Sequence, residues 1–291
     1  MKSFKTWPRV AFSLIILLSA AASGGYSYEI GSAGYVPRLE RQTQAGSQSV
    51  EDIRQIEYNE IKYDEASENY YGFIKGKIPV LISAPHGAMH FRRRENRWKG
   101  EDEYTASLAI KLGQLTGAHV IYVKNKTMED PNNDLTSEYK NAVAEAVKKY
   151  NIKFLLDLHG ADEDRPFKVD IGTIHDELLK SSCPTFRGTI GEAFSDFEPQ
   201  PFNKRFGAKT PNTVTFFARN KLGIEAAQVE INARYRIVER KPDSAKAKSG
   251  IKPHFKADEK DVLNLLARLQ RTVHEINLKI ERDNKLINTP G

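Results

Sequence analysis

His86 and His159 each stand next to a glycine directly after a short apolar run, and the acidic trio Glu101, Asp102 and Glu103 falls between them. Imidazole and carboxylate groups are ligands for zinc, and a hydrolytic zinc site takes about three protein ligands while leaving one position for water. Cys183 is the only cysteine, which excludes a thiolate cluster, an intramolecular disulfide and a Cys-x-x-Cys redox pair. Any metal must therefore sit on His and carboxylates. The neighbouring glycines keep the backbone uncrowded around each imidazole. Spacing alone leaves all three acids open as the third ligand. His90, four residues after His86, is a rival ligand only on a helix, and a noncatalytic or substrate-facing role suits it better. Asp157, two residues before His159, points to the same side of a strand and suits an outer-shell role behind that imidazole.

The elements that must position these groups follow from periodicity. Ile78–Ala84 reads as a buried strand stopping at Pro85-His86-Gly87, and a helix is expected over 101–116, with the acids in its first turn complementing the helix dipole. Residues 120–123 form the next strand. A helix capped by Asp134 or Thr136 should then run to about Tyr150, before a third strand over 153–158 that ends at His159-Gly160. A fourth strand is expected at 169–174, a helix between Cys183 and Phe197, and a late strand over 226–232 with Gln228 and Glu230 on one face. Strand–helix alternation predicts an α/β fold with a mostly parallel mixed sheet flanked by helices, whose ligands gather at the carboxyl ends of the strands. Residues 239–257 read as an exposed, solvated basic loop. Val262, Leu265, Leu266, Leu269, Val273, Ile276 and Ile280 mark a long closing helix.

Lys2, Lys5 and Arg9 precede an apolar run to about Leu18 and the small residues Ala20, Ala21 and Ala22, the pattern of a secretory signal peptide over 1–22. Export to the periplasm or the medium is the expectation. Residues 23–49, rich in Gly, Ser, Gln and Tyr, read as a linker, and 50–291 as a single catalytic domain. With 28% charged and 40% apolar residues, the chain has the balance of a globular protein. The formal charge of +6 drops to +3 without the leader, too little for an electrostatic grip on nucleic acid. No later segment resembles a membrane span. Arg92, Arg93, Arg94 and Arg97, with Arg234 and Arg236, are candidates for gripping a carboxylate through paired hydrogen bonds.

Ser83-Ala84-Pro85-His86-Gly87, Lys99-Gly100-Glu101-Asp102-Glu103-Tyr104-Thr105, Leu115-Thr116-Gly117-Ala118-His119-Val120, Asp157-Leu158-His159-Gly160 and Val229-Glu230-Ile231-Asn232-Ala233-Arg234-Tyr235-Arg236 resemble, in order and spacing, the N-formylglutamate amidohydrolase-like family. The resemblance spans roughly Val80 to Arg236. It implies the three-layer phosphorylase/hydrolase-like fold shared with zinc carboxypeptidases, and Zn2+ held by His86, Asp102 and His159. Asp102 is the acid that keeps the Lys-Gly-x-Asp-x-x-Thr frame. The resemblance makes Glu230 the general base, the alternative being an ion pair with Arg234 or Arg236. Arg94, Arg97, Asn133 and Arg234 are the expected substrate contacts. Asn132 and Asn133 stand where relatives carry a motif with an arginine that has no obvious match here, so the resemblance does not carry formylglutamate over as the substrate. The expected activity is hydrolysis of an amide in a small acidic or peptide-like substrate. An exopeptidase or polyglutamate hydrolase of the same fold, and an inactive exported protein binding an acidic ligand, are the alternatives.

Overall fold

The structure, a computed structural model, describes residues 49–174, 184–197 and 202–287. The expected signal peptide, nearly all of the expected linker and Cys183 lie outside these residues. The described elements begin with α1 (Val50–Glu60), β1 (Lys62–Ala66), β2 (Tyr71–Ile74) and β3 (Ile78–Ala84), followed by a hairpin of β4 (His90–Arg92) and β5 (Arg97–Lys99). Next come α2 (Thr105–Thr116), β6 (Ala118–Val123), β7 (Asn125–Lys126), α3 (Glu138–Tyr150), β8 (Phe154–Ala161) and β9 (Val169–Gly172). The remainder is α4 (Pro184–Ala193), α5 (Val214–Lys221), β10 (Glu225–Asn232), α6 (Ala245–Lys248) and α7 (Glu259–Ile287).

Six strands form the main sheet in the order β2-β6-β3-β8-β10-β9. The four central strands are parallel, and β2 and β9 close the edges antiparallel. Side-chain alternation sorts the strands into two faces. Val80, Ile82, Val120, Phe154, Leu156, Leu158, Val229 and Ile231 share one core with Ile53 of α1, Leu108 and Leu112 of α2, Ile190 of α4 and Leu265, Leu269 and Val273 of α7. Leu81, Ile121, Val123, Leu155 and Ala226 meet Tyr139 and Val143 of α3 and Val214 and Ala218 of α5 on the other. The result is a three-layer α/β fold with a mostly parallel mixed sheet.

The chain leaves β3 through α2 on the first face to reach β6, then returns through α3 on the second face to β8, on the opposite side of β3. Such a reversal opens a crevice at the carboxyl ends of the strands. On the second face the strands turn polar toward that end. Leu81 gives way to Ser83, Leu155 to Asp157 and His159, and Ala226 to Gln228 and Glu230. Burying polar groups is costly unless they are partnered, and Tyr139 supplies one such partner. Its hydroxyl lies 2.9 Å from Ser83 Oγ, accepts from Ala84 N at 3.1 Å and donates to Ile121 O at 3.0 Å.

Four sequence expectations change. α2 starts at Thr105, so the acidic trio lies in the loop before it. α3 is capped by Ser137, whose side chain accepts from Lys140 N, rather than by Asp134 or Thr136. His159 lies within β8, which runs on to Ala161. The basic segment over 239–257 is a largely exposed strap, as expected, but its charges are paired and Arg240 and Lys241 are buried. Arg240 Nε donates to both oxygens of Glu103 at 2.9 and 3.1 Å, and Lys241 Nζ donates to Ile61 O at 2.7 Å. Lys246 pairs with Asp162, Lys248 with Asp64 and Lys252 with Glu163. The exposed pairs contribute little individually. Arg240 and Glu103 are buried, so removing one partner strands the other's charge. Arg240→Ala is expected to cost about 3–5 kcal/mol in urea unfolding, against under ~1 kcal/mol for Lys248→Ala.

Candidate metal centre

His86 sits in the turn after β3, where Gly87 lets the chain pass close to its neighbours. A Cβ at Gly87 would lie 2.2 Å from Val123 O and 2.8 Å from Ala106 Cβ. Asp102 reaches the same place from the loop before α2, with its N–H donating to His86 O at 2.8 Å. Tyr104 turns that loop into the helix with φ 66°, a left-handed conformation that costs a bulky residue about 1–3 kcal/mol. Its surroundings hold it there. Tyr104 N donates to Glu57 Oε1 at 3.0 Å, and its hydroxyl donates to Glu239 O at 2.6 Å. His159 comes from β8 and is in register with Glu230 on β10.

These residues bring His86 Nδ1 and His159 Nδ1 to 3.3 and 3.4 Å from one atom, Asp102 Oδ2. Both separations are long for a charge-assisted hydrogen bond of about 2.7–2.9 Å. They match the edge of a tetrahedron, about 3.3–3.4 Å, around a zinc ion with bonds of about 2.0–2.1 Å. The outer nitrogens are engaged by carboxylates. His86 Nε2 lies 2.8 Å from Asp130 Oδ1, and His159 Nε2 lies 3.1 Å from Asp157 Oδ2. Ionised carboxylates only accept, so each Nε2 carries the proton and each Nδ1 lone pair turns inward when the ring is neutral. The donor set fits zinc. The side chain of Asp102, 13% exposed, is the most accessible of the three, against 7% for His86 and 2% for His159.

Without a metal, burial opposes charge on both imidazoles, but the carboxylates outweigh it. Asp130 and Asp102 hold His86 above its ordinary pKa, and Asp157 with Asp102 holds His159 well above it. Burial likewise opposes ionisation of Asp102, yet the two imidazoles hold it well below the carboxylate range. Burial pushes Glu230 up to about 7, and the nearby imidazoles only partly offset this. Gln228 Nε2 donates to Glu230 Oε1 at 3.3 Å.

A second group, His86, His90 and Asp130, also gathers ligand atoms. His90 stacks on His86 with centroids 4.0 Å apart and an interplanar angle of 5°. Its Nδ1 lies 3.2 Å from Ala88 O, and burial together with His86 lowers its pKa to about 3. Its Nε2 is 3.7 Å from Asp130 Oδ2, but the Arg92 guanidinium already donates to that oxygen at 2.9 Å. A cation in place there favours the first group as the metal seat. His90 is fully buried, which suits the noncatalytic role of the sequence reading better than the substrate-facing one.

The remaining candidates fall in different places. Arg94 and Arg97 lie exposed between and on the hairpin strands, Arg97 donating to Glu95 at 2.6 Å, and no described contact joins either to the ligand cluster. Asn133 is half-buried, and its N–H donates to Asp130 O at 2.9 Å. Asn132 Oδ1 accepts from Val214 N at 2.8 Å, fixing the start of α5. Arg234 is exposed, its Nε donating to Glu163 O at 3.3 Å. Arg236 is buried against Gly160, where a Cβ would lie 2.4 Å from its Nη2. Among the described residues no arginine pairs with Glu230. Glu101 Oε1 accepts from Ala245 N, and Glu103 holds Arg240.

Sequence reasoning missed Asp130, whose only advance signal was an Asp-Pro pair typical of turns. It also missed Lys140, buried where its Nζ donates to Asp134 O and Asn212 O at 2.5 Å each, fastening the loop that carries Asp130.

No family model matches the chain, and no curated protein does. Solved structures similar to it include N-formylglutamate amidohydrolase from Ralstonia eutropha JMP134, at 12% identity over 73% of this chain and 98% of that one, with a TM-score of 0.47. A bacteriophage poly-gamma-glutamate hydrolase matches at 15% identity over 73% and 92%, with a TM-score of 0.42. A metallo-carboxypeptidase from Burkholderia cenocepacia matches at 13% identity over 72% and 65%, with a TM-score of 0.40.

Outer carboxylates that orient a ligating imidazole typically change metal affinity about 10–100-fold when removed. Asp130→Asn and Asp157→Asn are each expected to weaken zinc binding by that factor in competition with a chelator, with circular dichroism unchanged.

Proposed function

We propose that the protein is an exported zinc-dependent amidohydrolase that cleaves an amide bond in a carboxylate-bearing substrate. The observation that carries this reading is the convergence of two Nδ1 atoms on Asp102 Oδ2, each imidazole backed by a buried carboxylate, with Glu230 in register beside His159. His86, Asp102 and His159 would hold the ion. Zinc there supplies a Lewis acid for the carbonyl oxygen and lowers the pKa of water.

Glu230 performs the proton transfers. Its carboxylate takes a proton from the attacking water as the new C–O bond forms, then gives that proton to the departing nitrogen as the C–N bond breaks. A base must hold and release a proton at working pH, and a carboxyl raised to about 7 by burial suits both steps. Gln228 orients Oε1 from the adjacent same-face position on β10. Asp130 and Asp157 keep the two imidazoles in the tautomer that turns Nδ1 inward. The basic, apolar and small-residue succession over 1–22 supports export.

Metal analysis of the chain lacking residues 1–22 is expected to give about one zinc, lost in His86→Ala and His159→Ala. A folded protein that takes up no zinc overturns the reading. Glu230→Gln is expected to retain zinc and lose about 10²–10⁴-fold in kcat on a panel of acylated amino acids and glutamyl peptides. The pH profile follows from the same residue. Glu230 must be ionised to accept the first proton, so kcat/KM falls as pH drops through its pKa. A bound cation lowers that pKa, placing the acid limb at or below about pH 7.

A further inference from the structure

We propose that the pocket beyond the carboxyl end of β10 is an anion subsite, which takes a second carboxylate of an extended, acidic, peptide-like substrate. It rests on the hydrolase reading only for where the cut amide lies. Arg165, Phe167, Lys168, Asn232, Arg234 and Tyr235 line it, with Glu163 beside them. Asn232 builds its walls. The buried side chain donates from Nδ2 to Arg165 O at 3.1 Å and accepts from Arg234 N at 2.9 Å, tying the segment after β8 and the turn after β10 to one strand end.

Charge marks this pocket, although the buried Arg236 nearby also lacks a carboxylate partner among the described residues. Arg92 is matched by Asp130, Arg97 by Glu95, Arg240 by Glu103, Lys246 by Asp162 and Lys252 by Glu163. Among the described residues, no carboxylate pairs with Arg165, Lys168 or Arg234. Arg165 lies over the Phe206 ring at 5.7 Å and Lys168 over Phe197 at 5.0 Å, while Arg234 Nε reaches only a backbone carbonyl. Glu163 does not neutralise them, because Lys252 and Lys246 hold its carboxylate at 3.0 and 3.5 Å. Three cations with no ion-paired carboxylate among the described residues, Lys168 acting on Asp196 only at longer range, fit an anion in this pocket, and Phe167 and Tyr235 offer apolar walls for the carbon chain that bears it.

Position sets the length of the ligand. Asn232 is two residues beyond Glu230 on the same face of β10, about 7 Å along the strand. An extended chain advances about 3.3–3.6 Å per residue, so a carboxylate about two residues from the cut amide reaches the pocket. The proposed substrate is thus an acidic oligomer rather than a single acylated amino acid.

The test is fluorescence anisotropy of labelled pentaglutamate and pentaglutamine on the full chain, using wild type, R165Q/K168Q and, as a charge-matched control on α3, K148Q/K149Q. Wild type is expected to prefer pentaglutamate by about tenfold, with the preference eroded by salt. R165Q/K168Q should lose it and K148Q/K149Q should keep it. Equal binding of the two peptides by wild type overturns the proposal, as does retention in R165Q/K168Q or equal loss in the control. The readout needs neither metal nor turnover, so failure of zinc uptake would sink the hydrolase reading without deciding this one.

Discussion

One carboxylate oxygen, Asp102 Oδ2, faces two buried imidazole nitrogens, and much of the surrounding structure exists to keep those three atoms together. Without a metal the cluster is held by protons shared between groups that would each prefer water. Asp130 and Asp157 make that tolerable by bringing negative charge to the far side of each ring. The same two carboxylates then leave the inner lone pairs available to a cation. In metal sites of this kind, residues that never touch the ion contribute to its affinity.

The sheet explains why these groups meet. Parallel strands with alternating faces deliver His159 and Glu230 side by side, while the reversal at β3 opens the crevice into which His86 and Asp102 descend. Along the second face the substitution of polar for apolar residues over the last two turns of the pleat converts a packing surface into a reactive one without changing the backbone. Tyr139 marks the boundary, with one hydroxyl serving a side chain and two backbone groups.

Much of this was legible in the residues. The bounds of β3 match the apolar run Ile78–Ala84, and β10 differs from its expected span by one residue. The two His-Gly pairs and the acidic loop fall together as their order at the strand ends suggests. The start of α2 was not legible, because acids before a helix look like acids in its first turn until Tyr104 is seen in the left-handed region. The hairpin of β4 and β5 carries arginines with no hydrophobic alternation, so its extended pairing left no periodic mark. α5 spans only eight residues. The basic strap was misread because composition reports charge and not its partners, which come from Asp64, Glu103 and the 162–163 segment far away in sequence.

Tyr104 adds a backbone link between the acidic loop and the strap, beside the Arg240–Glu103 pair and the bond from Ala245 N to Glu101. Its left-handed backbone, two residues from the candidate ligand Asp102, is maintained by Glu57 of α1 and by the carbonyl of Glu239 at the root of the strap. Relaxing that conformation would release strain in the turn that presents Asp102. An ion bound at the candidate site would favour the same backbone geometry as strap attachment, and by thermodynamic linkage each would strengthen the other. A peripheral basic segment would thereby bear on how tightly the candidate site holds an ion, although none of its side chains belongs to the ligand set.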